Sequence, residues 1–491
     1  MIMRKLLITL LVSAAAMGAL AQDNPRVSTM DLTASELAHY MAPGWNLGNT
    51  LEAGNNANIF TDNGGLSAET LWQGAKTSQD IINLVKAKGF KSVRIPTAWV
   101  MGHIADRESM AIDEAWLNRV KEIVDYCINA NLYVVLNDHW DGGWLEYDGF
   151  TTGADVEAKK EQLRKLWTNI ATAFRDYDER LVFAGLNEPG VGGASPQASG
   201  QLIFNQYGKD DAENLSAFVS RLIDYEQVFI DAVRATGGNN ARRVLVVQGP
   251  STNIVRTNNT FDVSRLVDAA EQRLMVEVHH YDPYRFCGMT SDQSYGSMWY
   301  YWYGHTPPRA SSSRVAPQTE QTNIQANFNN LKKNFVDKGY PVIVGEYGAS
   351  HRTITAAQGN QAKHDESIQY WYNFSTDYAM RAGCIPFAWD VNGLTRPVST
   401  IFNRSALTIN DQNIYDGIFQ GTLSAASAYA AIYPEPSAAT VITAVRQPGA
   451  ASPSVVYDLS GRRVATLSGS MPLPSLPKGV YIYRGEKIVV R

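Results

Sequence analysis

The chain has 491 residues, 45% of them apolar and 19% charged, which is ordinary for a globular protein and leaves room for one large domain and a smaller one. A formal net charge of −5 is small for that length. With no excess of cations, nucleic acid and anionic membrane surfaces are excluded as expected partners.

At the N-terminus, Arg4 and Lys5 precede an apolar run over 6–17 that ends in Ala19-Leu20-Ala21. This pattern predicts a signal peptide over 1–21, cut before Gln22. The run is too short for a comfortable membrane span, and no later segment is apolar enough for one. A secreted mature protein is therefore expected.

From 22 to 432, short β-type runs alternate with amphipathic stretches. The runs fall at 44–49, 92–96, 133–137, 181–186, 244–248, 275–279, 341–345 and 385–389. Most are continuously apolar, as parallel strands buried on both faces should be. Helical patterns lie between them, for example at 78–88, 113–129, 156–175 and 215–236, with stop signals at Lys88-Gly89 and Thr236-Gly237-Gly238. Eight strands alternating with helices predict an α/β fold, a (β/α)8 TIM barrel. A doubly wound sheet would carry a Gly-rich phosphate turn after its first strand, and none is present. The alternation then stops. A Pro/Ala/Ser linker over 433–440 leads to a small all-β appendage over 441–491, with runs at 454–457, 463–467 and 480–484. Cys127, Cys287 and Cys384 match no zinc or disulfide spacing and read as structural.

In such a barrel the reactive groups stand at the C-terminal strand ends. Two carboxylates close apolar runs there, Glu188 and Glu346. A glutamate after such a run costs free energy unless it is paired or solvated by a pocket. One alone is commonly a structural ion pair. Two, with Arg94, Asn137, His139, Asn187, His279, Tyr281 and Trp389 at or near other strand ends, read as a site. Facing carboxylates are what glycosidic bond cleavage needs: one gives a proton to the leaving oxygen, and the other stays ionised. Their separation decides between retention and inversion, and the sequence leaves that separation open.

The motifs GWNLGNTLEA (44–53), SVRIPTAW (92–99), VVLNDHWDGGWL (134–145), GLNEP (185–189), VEVHHYDPYRF (276–286), VIVGEYGA (342–349) and IPFAWDVNG (385–393) occur in one order along the chain. Together they resemble glycoside hydrolase family 5, particularly its bacterial endoglucanases. The resemblance implies a retaining endo-β-1,4-glucanase acting on cellulose or a related β-1,4-linked polysaccharide, without cofactor or metal; a monomer is expected, with oligomeric state left open by the sequence itself. It implies Glu188 as acid/base and Glu346 as nucleophile. Asn187 would bond the sugar's 2-hydroxyl, Arg94 would hold Glu346 ionised, and Tyr281 would donate to Glu346. His139 and His279 would line the subsites beside the cut, and Trp389 would stack under the sugar. Xyloglucan, mixed-linkage glucan, xylan and mannan remain alternatives on the same barrel, as does a non-catalytic glycan-binding role. The family often has an apolar residue where this chain has Asp138, and strand alternation turns Asp138 away from its neighbours.

His279-His280 lacks a third metal ligand of suitable spacing, and His280 is expected to pack or face outward. His39, His103, His305, His351 and His364 read as surface or loop residues. Trp140, Trp144, Trp299 and Trp302 are candidates for outer subsites or for packing, and the aromatic stretch 297–308 reads as a subsite wall. In the tail, VVYDLSGRRV (455–464) and LPKGVYIYRGEKIVVR (476–491) resemble the C-terminal sorting domain of the type IX secretion system of Bacteroidetes. That implies passage through the outer membrane, with the tail removed or used as an anchor.

Overall fold

The computed structural model describes residues 30–54, 65–150, 155–190 and 212–436, and in the tail 454–458, 463–467, 479–483 and 486–490. The signal-peptide segment and residues 437–440 of the expected linker lie outside them. The chain divides into two units, 1–435 and 436–491.

The first unit is a closed barrel of eight parallel strands. They are β1 (Gly44–Asn46), β2 (Ser92–Ile95), β3 (Tyr133–Asn137), β4 (Leu181–Ala184), β5 (Leu245–Asn253), β6 (Leu274–His280), β7 (Val342–Tyr347) and β8 (Cys384–Ala388). Each pairs with its sequence neighbours, and β1 closes the ring on β8 through Gly44↔Phe387. Eight helices follow the strands in turn: α1 (Gln79–Ala87), α2 (Glu114–Asn129), α3 (Val156–Ala173), α4 (Ala212–Ala235), α5 (Ile254–Thr260), α6 (Gln318–Asn334), α7 (Gln361–Arg381) and α8 (Gln412–Ile432). The expected (β/α)8 barrel is thus observed.

Local chemistry explains where the helices begin. Ser78, Asp113, Asp155, Asn253, Asn360 and Asp411 each accept a backbone N–H from the first turn of the helix they precede. Each such cap stabilises its helix by about 1 kcal/mol. The strands are buried along nearly their whole length, because helices cover the outer face and side chains fill the barrel interior. The three cysteines are buried and unpaired. Tyr433, at the start of the expected linker, is buried and donates to the carbonyl of Gly383, so the barrel unit reaches that far.

The second unit contains a four-stranded antiparallel sheet of β9 (Ser454–Asp458), β10 (Arg463–Leu467), β11 (Gly479–Tyr483) and β12 (Glu486–Val490), in the order β10-β9-β11-β12. The first three match expected runs, and β12 is an additional strand. Among the described residues, no helix is long and apolar enough to cross a membrane.

Candidate active site

The strand ends bring every predicted site residue to one centre. Arg94, on β2 and fully buried, is the hub. Its Nη1 donates to Glu346 Oε1 on β7 at 3.0 Å and to Asn46 Oδ1 on β1 at 3.1 Å. Its Nη2 donates to Asn187 Oδ1, beyond the end of β4, at 2.7 Å. Its Nε lies 3.0 Å from Glu277 Oε1 on β6. Burial disfavours the guanidinium charge, but Glu277 and Glu346 outweigh it and raise its pKa. Removing one partner of such a buried pair would cost about 3–5 kcal/mol.

Glu346 receives a second bond, from the Tyr281 hydroxyl to Oε2 at 2.9 Å. Burial, Glu346 and Glu188 hold that phenol well above its ordinary pKa, so it is a neutral donor. His279 Nδ1 lies 2.8 Å from Glu188 Oε1 and 3.8 Å from Glu346 Oε2, while Nε2 lies 3.3 Å from Glu277 Oε1. Burial alone would lower the pKa of His279. The carboxylates of Glu346, Glu188 and Glu277 prevail and push it up to about 9.

His139 behaves oppositely. Burial, Arg94 and His279 hold its pKa well below the usual value, so it is neutral. Its tautomer follows from Asn137, whose Oδ1 accepts the Thr97 backbone N–H at 3.2 Å. That leaves Nδ2 of Asn137 to face His139 Nδ1 at 3.3 Å, so the proton sits on His139 Nε2. This nitrogen is 3.9 Å from Glu346 Oε1. The His139 ring stacks with Trp389, just past β8, at 5.9 Å between centroids and 9° between planes.

One oxygen or nitrogen each from Glu188, His279 and Glu346 lies within 4.8 Å of the other two, forming a metal-ligand-like triad among the described residues that sequence spacing did not reveal. Both nitrogens of His279 face carboxylates, Nδ1 toward Glu188 and Nε2 toward Glu277. His280 points to the other side of the sheet and stacks on Trp371, with burial pushing its pKa down to about 3.

The arrangement therefore offers two carboxylates within 4.8 Å, one of them held by Arg94 and Tyr281, beside an aromatic platform. Residues 52–394 match the family model described as cellulase, glycosyl hydrolase family 5. The chain belongs to that family. This family 5 chain is 31% identical over 406 residues to endoglucanase A of Paenibacillus barcinonensis, covering 79% of this chain and 90% of the relative. It is also 31% identical over 377 residues to a xyloglucan-specific endo-β-1,4-glucanase of Bacteroides ovatus, covering 76% and 67%. Among solved structures, it is similar to a family 5 xyloglucan-specific β-1,4-glucanase from a ruminal metagenomic library, in complex with XXLG. The TM-score is 0.69 at 42% identity, over 80% of this chain and 97% of that one. The family 5 chain is thus a glycoside hydrolase.

Several expectations about the surrounding residues need correction. Trp302 is fully buried against Phe286 and Phe374, and Trp299 is buried under the Arg285 guanidinium, 4.2 Å from its ring. Met298, Tyr300 and Tyr301 form a second small core with Met289 and Ile354, so the aromatic stretch after β6 is mostly packing and not a cleft wall. Trp144 is buried too, its indole donating to Asp138 Oδ2 at 3.2 Å, whereas Trp140 is half-buried beside Glu188. His103, His351 and His364 are fully buried. His103 stacks on Trp116 at 3.6 Å, His351 bridges Asp365 and Asp411, and His364 sits on α7 against the Tyr300 carbonyl.

Sequence reasoning missed Glu277, Gln248 and Asn46 as parts of the site's support. The available signal was a lone polar residue inside an apolar strand, sharing a face with a site residue by two-residue alternation. Glu277 stands in that relation to His279.

Proposed function

We propose that this family 5 hydrolase is a retaining endo-β-1,4-glucanase, with Glu188 as acid/base and Glu346 as nucleophile. The observation that carries this reading is that one oxygen of Glu188 lies within 4.8 Å of one oxygen of Glu346. Retaining enzymes bring their carboxyls to about 5–5.5 Å, whereas inverting enzymes leave about 6.5–9.5 Å for a water. The Arg94 and Tyr281 bonds fall on Glu346 and fix the position of its carboxylate, as attack on the anomeric carbon requires. Glu188 protonates the leaving oxygen as Glu346 attacks the anomeric carbon. The leaving chain departs with that proton, and Glu188 then takes one from the water that releases the sugar. Arg94 fixes Oδ1 of Asn187, which turns the Asn187 amide nitrogen toward the cleft as a donor for a sugar hydroxyl. The Trp389 face, backed by His139, offers the stacking platform.

A xyloglucan backbone is the substrate that similarity favours within this reading, because the relative matched at 42% identity is xyloglucan-specific. The test is initial-rate hydrolysis of xyloglucan, carboxymethylcellulose, lichenan, glucomannan and xylan by the wild type and Glu346→Ala. Hydrolysis of β-1,4-glucans should fall by at least about a thousandfold in the variant, and the first-formed wild-type product should be the β anomer. Undiminished turnover by the variant, or an initial α anomer, would refute the mechanism. The export reading of 1–21 and of the sorting-like tail belongs to the same proposal. It rests on sequence motifs, and fractionation of the producing cells should find the enzyme outside or on the outer membrane.

A further inference from the structure

Glu277 has no part in the double displacement, yet it is a fully buried carboxylate one residue pair below His279 on β6. Gln248, Arg94 and His279 converge on it. Gln248 Nε2 donates to its Oε2 at 2.6 Å, and the orientation of that amide is fixed because Gln248 Oε1 accepts the Leu186 backbone N–H at 2.8 Å. Arg94 Nε and His279 Nε2 converge on Oε1 at 3.0 and 3.3 Å. A carboxylate that accepts from the Gln248 amide and is ion-paired to Arg94 is held ionised. Burial opposes this, but Arg94, His279 and Gln248 prevail and hold its pKa below the ordinary glutamate value. Gly345, directly before Glu346, leaves room for it, since a Cβ there would overlap Glu277 Oε1.

We propose that Glu277 is a positioning residue: it keeps the proton on Nε2 of His279, so that Nδ1 is the atom that shares a proton with Glu188. This rests on the assignment of Glu188 as acid/base. The shared proton moves between Nδ1 and Glu188 Oε1 along the 2.8 Å contact, with no other bond made or broken. The proton held at this contact is the one that acid catalysis spends, so its loss sets the alkaline limit. The groups acting on His279 are the carboxylates of Glu277 on β6, Glu188 beyond β4 and Glu346 on β7, and His139 beyond β3; Arg94 on β2 and the neutral amide of Gln248 on β5 reach it through Glu277, and Tyr281 through Glu346. The three carboxylates favour the imidazolium. Arg94 opposes it, His139 and Tyr281 are neutral, and Glu277 is the carboxylate that does not itself react.

The test compares the wild type, Glu277→Gln and Glu277→Asp by the pH dependence of kcat/KM and by 15N NMR of the His279 ring. In the wild type at pH 7 both ring nitrogens should be protonated, a measurement that depends on neither variant folding. In Glu277→Gln the alkaline limb should move down by at least about one pH unit, so kcat/KM at high pH falls about tenfold further than in the wild type. Glu277→Asp, which keeps the charge, should restore most of the wild-type limb. A wild-type Nε2 without its proton, or an unmoved limb in Glu277→Gln, would overturn the proposal. If the wild type cleaves no β-glycan, the acid/base assignment fails, while the NMR measurement still decides whether Glu277 controls His279.

Discussion

His139 and His279 occupy the same centre and carry opposite charge states, and the cause lies in their immediate neighbours. His139 faces Arg94 and His279, both cationic, whereas His279 sits between three carboxylates. Glu226 on α4 shows the same rule for an acid. Its Oε1 accepts the Gln248 backbone N–H at 2.8 Å, and its Oε2 finds no hydrogen-bond partner among the described residues. Burial, then repulsion from Glu277, holds its pKa well above the ordinary value, so it is a neutral acid in the fold. The unfolded chain releases that proton near pH 4.5, so the folded state alone keeps it at higher pH, and stability is lost as pH rises toward the folded pKa. Glu226→Gln removes the titration and keeps the acceptor. The variant's Tm relative to wild type should therefore climb steadily from pH 4.5 to 8, by about 1.4 kcal/mol of stability per pH unit while the difference lasts. A constant difference across that range would mean that Glu226 is ionised in the fold. Residues that end strands, such as Glu188, His279 and Glu346, were legible because the barrel puts chemistry at those ends. Glu277, Glu226 and Gln248 were not, because their work is set by pairings between strands and helices distant in sequence.

At the scale of elements, the strands were read from continuous apolar runs, and the closed parallel barrel confirms that signal. Their boundaries moved where geometry overrides composition. β1 stops at Asn46, three residues before the expected end, because Asn46 turns inward to donate to the Gly345 and Phe387 carbonyls at 2.8 and 3.1 Å. The chain then bends through Asn49, whose backbone has a φ of 57°, and Glu52 pins the bend by accepting the Asn49 and Thr50 backbone N–H groups. The aromatic stretch after β6 was misread because composition is the same for rings that line a cleft and rings that fill a core. The outcome was decided by partners elsewhere, such as Ile354 and Phe374. Helix pairing was not legible either. Gly417 and Gly421, one turn apart on α8, face the carbonyls of Gln369 and Asn373 on α7 so closely that a Cβ at either position would overlap them. Two glycines in a helix interior cost about 1 kcal/mol each in propensity, and this close approach of α7 and α8 is what they allow.

For the molecule as a whole, the buried titratable groups set a stability optimum with two separate flanks. On the acid side, burial pushes His103 down to about 4 and His280 and His364 down to about 3. These histidines are neutral in the fold and protonated in the unfolded chain below about 6.5, so stability falls as pH drops, until each folded pKa is reached. Between about 4.5 and 6.5 that trend is opposed by Asp141, raised to about 6, and by Glu52 and Glu146, each raised to about 7 mainly by burial. Raised carboxyls keep their protons in the fold and lose stability as pH rises, so the two sets offset one another and the profile is flat there. Below about 4.5 those carboxyls are protonated in both states and no longer contribute, which leaves the histidines to drive the loss. On the alkaline side His279, raised to about 9, holds a proton that the unfolded chain has released above about 6.5. Its stabilisation is complete below 6.5 and disappears as pH climbs through 9, at about 1.4 kcal/mol per pH unit, and Glu226 acts in the same direction. All 11 tryptophans precede residue 390, so thermal unfolding followed by tryptophan fluorescence reports on the barrel unit. Tm should be nearly level from about pH 5 to 6.5 and fall on both sides, and Glu277→Gln should make the alkaline fall begin at lower pH and the acid fall shallower, because a carboxyl held below its ordinary pKa no longer titrates there. A Tm that keeps rising from pH 6.5 to 9 would show that His279 is neutral in the folded enzyme.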